Sequence, residues 1–371
     1  MSTPDVSALA LLVLGATFVL SAAFGAIVQR THFCTMGAIS DAVGLGDFTR
    51  LRQWALAIAT AMAGFWLLVA LGQLDPAKTL YTTPRWFWLS ALVGGLMFGF
   101  GMVLASGCAS KNLVRLGGGS LKALVVLVVL GVCAFATLKG ITAVVRVATV
   151  DSAAIDFGAP AAVWARLAGL FGTETRGTGV LLGFVIAAVA ALWALRGRDF
   201  IRGDNLLAGI GIGACVAAMF WVTGHLGHVA EHPQTLEETF IATNSGRAEA
   251  LSFVSPVAYA LDWLMFFSDR GKTLTVGIVS VAGVIVGAAA MALAQGSFRW
   301  QGFAGVDDVA HHLAGAALMG VGGVTAMGCT IGQGISGIAT LGLTSLVALP
   351  SIVAGAVAGV KYQLRRLEQG A

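Results

Sequence analysis

The cysteines are the residues of this sequence whose chemistry is most specific. Five are present, and two of them follow a glycine at the end of a glycine-rich apolar stretch, at Gly107-Cys108 and Gly328-Cys329. Sulfur is polarizable, and a neutral thiol is a weak hydrogen-bond donor that can contact a soft sulfur atom of a ligand. The sequence contains no CxxC pair and no cluster of zinc ligands, so it indicates neither a dithiol oxidoreductase nor a structural metal site. The two Gly-Cys pairs instead predict thiols that meet a substrate where an apolar helix ends.

Polar side chains with hydrogen-bond donors follow both Gly-Cys pairs, and no carboxylate stands among them. If a short helix begins after each cysteine, its free N–H groups and positive dipole end attract anions. The glycine before each cysteine permits backbone angles that other residues avoid, as a break between two helices requires. The predicted donors are Ser110, Lys111 and Asn112 after the first pair, and Thr330 and Gln333 after the second. These side chains favour an anion as the ligand.

The surroundings of the two Gly-Cys pairs form a weak internal repeat. A shift of 221 positions aligns Gly94–Cys108 with Gly315–Cys329, and seven of the fifteen aligned positions are identical. Two related halves, each with a thiol where an apolar helix ends, are expected of a two-fold membrane pore or carrier.

The composition is that of a membrane protein. Hydrophobic residues make up 57% of the 371 residues and charged residues 11%, which excludes an ordinary soluble domain. Nine apolar runs are long enough to cross the roughly 30 Å hydrocarbon layer of a bilayer. We expect spans at about 7–28, 53–73, 86–106, 120–138, 178–196, 205–223, 273–294, 309–327 and 342–360. The fold class is therefore an all-α polytopic membrane protein surrounded by lipid, and its net charge of +4 indicates no nucleic-acid partner.

Four shorter segments are predicted to be helices that enter the membrane and return. They are Phe33–Leu45, Ala109–Gly117, Thr330–Leu341 and Thr239–Ala250. Irregular backbone at membrane depth persists only where protein buries it or where it lines a cavity, so these segments mark the pathway. Asp41 is the main acidic candidate at this depth, and a cation pathway built on acidic side chains is poorly supported.

The distribution of basic residues predicts the orientation. The loops on one side of the membrane carry 13 Lys and Arg residues and those on the other side carry 9. We predict an N-terminus on the outer side and a C-terminus on the inner side.

The number of crossings between the two Gly-Cys pairs predicts the relation between the halves. Five predicted spans separate Cys108 from Cys329, and an odd number brings the two pairs in from opposite faces, as in an inverted repeat. We expect a first half-repeat over 1–200, with Cys34 and Cys108, and a second over 201–371, with Cys329. The position that corresponds to Cys34 lies near Ser255, so Cys34 has no cysteine counterpart.

The remaining candidate ligands carry no clear chemistry. The spacing of His225, His228 and His232 resembles a metal site on one helix face, but Pro233 would end that helix, so we predict no metal. Cys133 and Cys215 lie inside apolar runs and are expected to be small buried residues. The sequence predicts no cofactor.

Three motifs carry a family resemblance. Gln29–Cys34 reads Q-R-T-H-F-C, the segment Gly107–Ser110 is followed by Arg115 and Gly117, and Gly328–Gly334 reads G-C-T-I-G-Q-G. In order and approximate spacing, they resemble the YeeE/YedE family of bacterial inner-membrane sulfur transporters. The resemblance implies an hourglass-shaped, inverted-repeat transporter, not an enzyme, which takes up thiosulfate.

The resemblance also implies how substrate moves. Thiosulfate would pass along Cys34, Cys108 and Cys329 through transient S–H contacts, and a small cytosolic sulfurtransferase of the TusA type would receive the sulfur. The sequence departs from the family where Ser110 and Lys111 replace glycine after the central cysteine. A lysine beside the pathway would hold a dianion more tightly or shift the preferred substrate.

Two alternatives remain open at this stage. One is a transporter of another sulfur or selenium species, such as a persulfide or sulfite. The other is a membrane enzyme that relays sulfur covalently through the same cysteines, which requires accessible thiolates and a persulfide intermediate.

Overall fold

The predicted apolar runs form the long helices of the structure. A computed structural model describes residues 6–197, 200–233, 235–269 and 271–370. The α-helices are α1 Val6–Thr31, α2 Thr35–Gly44, α3 Thr49–Ala70, α4 Trp88–Leu104, α5 Ala109–Gly117, α6 Leu121–Lys139, α7 Ile141–Ala148, α8 Val163–Phe171, α9 Thr175–Leu195, α10 Gly203–Leu206, α11 Ile212–Trp221, α12 Val254–Met265, α13 Val276–Ala294, α14 Val306–Thr325 and α15 Leu343–Gly370. This confirms the all-α class.

The other elements are short. π-Helical turns occur at Leu207–Gly211, Val222–Leu226 and Gly332–Gly337. The first joins α10 to α11, and the second extends the same helix beyond α11 to Leu226. Single 3₁₀ turns lie at Pro76–Lys78, Leu80–Thr82 and Asp151–Ala153. Two antiparallel ribbons pair β1 Arg85–Trp86 with β2 Ile155–Asp156, and β3 His228–Val229 with β4 Thr239–Phe240.

Eight of the nine predicted spans are helices long and apolar enough to cross a membrane. The ninth forms as α14, a helix of 20 residues that begins with Asp307 and Asp308 in its first turn. These aspartates, with the two histidines at 311 and 312, lower its hydropathy below that of the other eight helices. Its apolar second half, which leads to Cys329, packs against α4 and α6.

Three of the four predicted short helices are present. They are α2, α5 and the turns around Gly332–Gly337. The fourth prediction, a helix over Thr239–Ala250, is wrong. There the chain forms β4 and then an irregular segment in which Gly246 has a φ of +63° and the backbone of Ala248 pairs with Lys78 and Leu80. The short helix of this region is α12, which begins at Val254.

The helices pack in pairs that recur with the two halves exchanged. Helix α1 packs on α13 and α11 on α3, while α4 packs on α15 and α14 on α6. The short helices follow the same rule, because α5 contacts α13 whereas the Gly332–Gly337 turn contacts α3. Each pair thus joins one half to the other, and exchanging the halves converts one pair into its equivalent, as a two-fold axis requires. The boundary between 1–200 and 201–371 stays a prediction.

The loops group on two faces. On one face, which we call the long-loop face, the segments 71–87, 149–162 and 227–253 meet: Leu80 N donates to Ala248 O at 3.0 Å, and β1 pairs with β2. On the other, the short-loop face, Leu121 N donates to Gln301 O at 2.9 Å and Arg30 pairs with Asp204 at 3.2 Å. Loops that follow alternate spans thus lie together. The outward orientation of the N-terminus stays a prediction.

Glycines set the distance between paired helices. A Cβ on Gly25 of α1 would lie 2.3 Å from Val284 O of α13, and one on Gly99 of α4 would lie 2.0 Å from Ile352 O of α15. Because lipid tails give no hydrophobic drive for helix association, such close approach provides the van der Waals contact that holds the pairs together.

We predict that Gly25→Ala destabilises the protein by about 1–3 kcal/mol, because the added methyl forces α1 away from α13. Gly15 lies on the same helix, and a methyl group added there would meet no described atom within 4 Å. Gly15→Ala should therefore leave stability unchanged or raise it by roughly 0.5–1 kcal/mol, as helix propensity dictates. Thermal unfolding in detergent measures both, and equal melting temperatures for the two variants would contradict the packing argument.

Candidate functional site

The two Gly-Cys turns have the same backbone conformation. Ser106 and Met327 have φ values of 55° and 59°, and the glycines that follow them, Gly107 and Gly328, have φ values of 155° and 158°. A left-handed residue followed by glycine ends a helix abruptly, and a serine or a methionine adopts such an angle only at a cost in free energy. The internal repeat therefore extends to the local backbone geometry at the cysteines.

The same hydrogen bonds close both turns. Gly107 N donates to Met102 O at 2.9 Å, and Gly328 N donates to Gly323 O at 2.8 Å. The helix that follows starts at the cysteine in each case, since Asn112 N donates to Cys108 O at 3.0 Å and Gln333 N to Cys329 O at 2.8 Å. The prediction that a short helix begins after each Gly-Cys pair is thus confirmed.

Side-chain amides satisfy the carbonyl groups that the turns leave free. Asn112 Nδ2 donates to Gly107 O at 2.9 Å and to Cys108 O at 3.1 Å. Gln333, 221 positions later, donates from Nε2 to Met327 O at 2.9 Å and accepts a hydrogen bond from Ser345. In the structure these amides donate to the backbone and hold the turns. That both residues face the substrate stays a prediction.

Three thiols stand directly before short helices. Cys34 Sγ accepts a hydrogen bond from Gly37 N at 3.4 Å, and Cys329 Sγ accepts one from Gly332 N at the same distance. In both cases the donor is the N–H of the third residue after the cysteine, which is the bond that the side chain of a helix N-cap residue accepts. Because each sulfur accepts from the backbone, its own S–H proton stays available to a ligand.

Cys108 lies between the other two thiols. Its Sγ lies 3.2 Å from Ser110 Oγ. It is within electrostatic range of both Cys34 and Cys329. Cys108 and Cys329 are buried, whereas Cys34 is partly exposed. The structure therefore groups the three predicted cysteines, and it places Cys133 and Cys215 inside α6 and α11.

The side of this group toward the short-loop face carries positive charge. Lys111 is half-buried within electrostatic range of Cys34 and Cys108. Arg50 is also within range of Cys34 and pairs with Asp41 at 3.2 Å. In the part of the chain that the structure describes, no carboxylate lies within ion-pair distance of Lys111. Lys111 thus places a positive charge beside two thiols.

One buried hydroxyl next to Cys329 makes no hydrogen bond to the described residues. Thr330 Oγ1 is inaccessible to solvent and has no donor or acceptor of that part of the chain within reach. A buried polar atom without a partner costs free energy, which a ligand oxygen at this position would recover. Thr330 therefore fits its predicted role better than Gln333 does.

A cavity is lined both by segments of the long-loop face and by residues close to Cys329. Its volume is about 240 Å³. Ser252, which lines it, has its Oγ 4.0 Å from Cys329 Sγ, and Met327 of the second Gly-Cys turn lines it as well. The polar and charged residues of its wall are Arg146, Asn244, Ser245, Glu249, Ser252, Ser255, Tyr259 and Ser280. We call this space the entrance cavity.

Sequence reasoning missed Glu249, a carboxylate of the entrance cavity. Its Oε2 accepts a hydrogen bond from Ser245 Oγ at 2.7 Å, and burial raises its pKa to about 7. The signal available in the sequence is the position of Glu249 between two spans, in the segment predicted to be a short helix. Across the described ranges, no group of three His, Cys, Asp or Glu side chains could hold a metal ion.

Comparison with known proteins gives a family match over most of the chain. A family model described as sulphur transport matches residues 30–358. A thiosulfate transporter TsuA of Spirochaeta thermophila is 28% identical over 88% of this chain and 91% of its own length. Its namesake in Escherichia coli is 26% identical over 85% of both chains, and a probable transporter YedE of the same organism is 30% identical over 28% of this chain and 24% of its own.

We predict that Asn112→Ala lowers the free energy of unfolding by about 1–3 kcal/mol, because the carbonyl group of Gly107 loses the side-chain donor that the first Gly-Cys turn gives it, while Cys108 O keeps only the backbone N–H of residue 112. Gln295→Ala removes an amide of similar size from an exposed position and serves as the control. Thermal unfolding in detergent compares the two variants. A loss no greater than that of the control would show that Asn112 does not hold the turn.

Proposed function

The chain belongs to this sulphur transport family, since the family model spans residues 30–358, and from that membership we propose that it takes up thiosulfate across a bacterial inner membrane. Sulfur-anion transport follows from the family together with the two full-length relatives named as thiosulfate transporters. The observation that favours thiosulfate as the substrate is the grouping of three thiols, each at the start of a short helix. They belong to Cys34, Cys108 and Cys329.

Thiosulfate fits this group because it offers two kinds of acceptor. Its terminal sulfur is soft and polarizable, as a thiol donor prefers, and its oxygen atoms accept from N–H and O–H groups. Removing a dianion from water is costly, and helix N-termini and buried donors such as Thr330 Oγ1 offset part of that cost. S–H contacts are weak, so the anion can leave each cysteine for the next.

The proposed route runs from the entrance cavity to the short-loop face. Substrate enters beside Ser252, meets Cys329, passes Cys108 and reaches Cys34 beside Lys111. In this scheme the long-loop face is periplasmic and the short-loop face is cytoplasmic, which agrees with the orientation predicted from basic residues. A cytosolic sulfurtransferase of the TusA type then receives the sulfur on the side of Cys34.

Along the proposed route, the electrostatic energy of the anion falls as the anion approaches Lys111. An ammonium beside Cys34 and Cys108 attracts a dianion more strongly than a monoanion, and partial burial strengthens the attraction. Ser110 adds a hydroxyl next to Cys108. Ser110 and Lys111 stand where the family pattern has glycine after the central cysteine. These two residues therefore favour doubly charged substrates.

We predict that Cys108→Ala and Cys329→Ala each lower thiosulfate uptake by about tenfold or more, because a contact to the anion is lost at a step without an alternative donor. Cys133→Ala and Cys215→Ala should change uptake by less than roughly twofold, since both lie inside helices away from the Gly-Cys turns. Thiosulfate-dependent growth and uptake of radiolabelled thiosulfate, in a bacterial strain without other importers, measure the effect.

The same variants separate the alternatives. Unimpaired uptake in Cys108→Ala and Cys329→Ala, with normal amounts of protein in the membrane, would rule out the cysteine route. Competition by sulfite, persulfides and selenium compounds tests another substrate. A persulfide on a cysteine after exposure to substrate, seen as an added sulfur atom by mass spectrometry, would favour the covalent relay.

We predict that Lys111→Gln raises the KM for thiosulfate by about tenfold and that Lys111→Arg retains most of the affinity, since the positive charge is what the dianion requires. Lys361→Gln, an exposed position on α15, is the control. Concentration-dependent uptake measures KM. An unchanged KM in Lys111→Gln would show that the lysine does not contact the substrate pathway.

A further inference from the structure

A carboxylate stands in the wall of the entrance cavity. Glu249 lies in the segment between α11 and α12, and Thr223 Oγ1 fixes its backbone by donating to Glu249 O at 2.6 Å. Its side chain is half-buried, and Ser245 donates to one of its oxygens. The carboxyl is thus held in place at the point where the proposed substrate, an anion, must enter.

This carboxylate has no cationic partner in the described ranges. Among those residues, no Lys, Arg or His nitrogen lies within ion-pair distance of Glu249. Arg146 lines the same cavity, but it belongs to α7 and pairs with Asp151 at 3.5 Å. Its charge is therefore partly offset by Asp151 and not by Glu249.

The other titratable groups that face Glu249 are tyrosines. Tyr81 comes from the segment between α3 and α4, and Tyr259 comes from α12. Burial raises the pKa of both phenols, so each keeps its proton near neutral pH. Asp262, in range of Tyr259, is paired with Lys272. Changes in the charge of the cavity near neutral pH consequently come from Glu249.

An ionised Glu249 and a dianion repel each other in a cavity of about 240 Å³. A protonated carboxyl, in contrast, carries no charge and presents an O–H that can donate to a sulfate-type oxygen. The two protonation states thus have opposite effects on an anion in the entrance cavity.

We propose that Glu249 is a proton-binding residue of the entrance cavity, and that the substrate dianion occupies the cavity only together with a proton on this carboxyl. The proposal rests on the proposed function for the identity of the dianion. The burial-raised pKa of Glu249, about 7, places the change of state in the range that the outer surface of a bacterium meets.

Proton and anion are linked by thermodynamic reciprocity. If protonation of Glu249 favours the anion, then binding of the anion raises the affinity of Glu249 for a proton by the same factor. One proton bound with each anion makes the dissociation constant for thiosulfate rise about tenfold for each pH unit above the pKa.

The test measures thiosulfate binding to the full-length protein in detergent by calorimetry, between about pH 5 and about pH 9. In wild type, the dissociation constant should be constant below about pH 7 and should rise above it, toward a tenfold increase per pH unit. Glu249→Gln mimics the protonated state and should bind with the low-pH affinity of wild type throughout. The difference between these two proteins removes contributions of the six histidines, which titrate in the same range.

Glu238→Gln is the matched control. Glu238 lies on the same long-loop face but is paired with Lys78 and His228, whose hydrogen bonds lower its pKa. It is therefore ionised throughout the range, and its variant should keep the pH profile of wild type. Identical pH profiles in wild type and Glu249→Gln would overturn the proposal.

A second measurement needs no substrate. Because the pKa of Glu249 is raised in the folded protein, its contribution to stability is complete below the pKa of an unfolded glutamate and is lost as the pH rises through about 7. The melting temperature of wild type should therefore fall relative to that of Glu249→Gln across this range. A constant difference would show that Glu249 does not take up a proton there.

The two measurements also separate this proposal from the proposed function. If wild type bound no thiosulfate at any pH, the thiosulfate function and the linkage would both be overturned, while the stability titration would still decide the existence of the proton site. If thiosulfate bound without pH dependence, only the linkage would be overturned.

Discussion

The structure depends on one constraint, which is that a helix broken at membrane depth must satisfy the backbone groups that the break exposes. Each Gly-Cys turn meets it in the same way. A left-handed residue and a glycine redirect the chain, a backbone N–H closes the turn, and a side-chain amide covers the carbonyl groups that remain. The thiol of the cysteine is left beside the start of the next helix. The position of the thiols thus follows from the hydrogen bonds that the backbone N–H and C=O groups of the turns require.

The pairing of the helices follows from the same constraint. The short helix after Cys108 packs on α13 and the turn after Cys329 packs on α3, and both long helices are drawn close by glycines. Two broken helices buried against each other's half produce a protein-lined interior without lipid-exposed irregular backbone. The short helix after Cys108 also packs on α6 of its own half, so both halves together bury it.

The sequence predicted the helices, the breaks at Gly107 and Gly328, and the family, because apolar run length and Gly-Cys spacing are local properties. It could not show that the amides of Asn112 and Gln333 donate to the backbone, since the sequence around a polar side chain is the same whether that side chain donates to a ligand or to a carbonyl five or six residues back. It missed Glu249 because the position of that carboxyl depends on the path of 227–253. That path is set by contacts of Ala248 with Lys78 and Leu80, far away in the chain.

Chemical differences between the halves distinguish the two ends of the proposed route. By the shift of 221 positions, Lys111 corresponds to Gly332, so this charge occurs in only one half, and Glu249 lies in the segment between α11 and α12. Just before α12, Ser252 lies near Cys329, whereas directly before α2 the first half has Cys34. A symmetric scaffold would bind an anion equally well from both faces. An acid at one end, a cation at the other and a third thiol beside the cation make the two ends chemically different, and an anion that enters past a neutral carboxyl then moves toward positive charge.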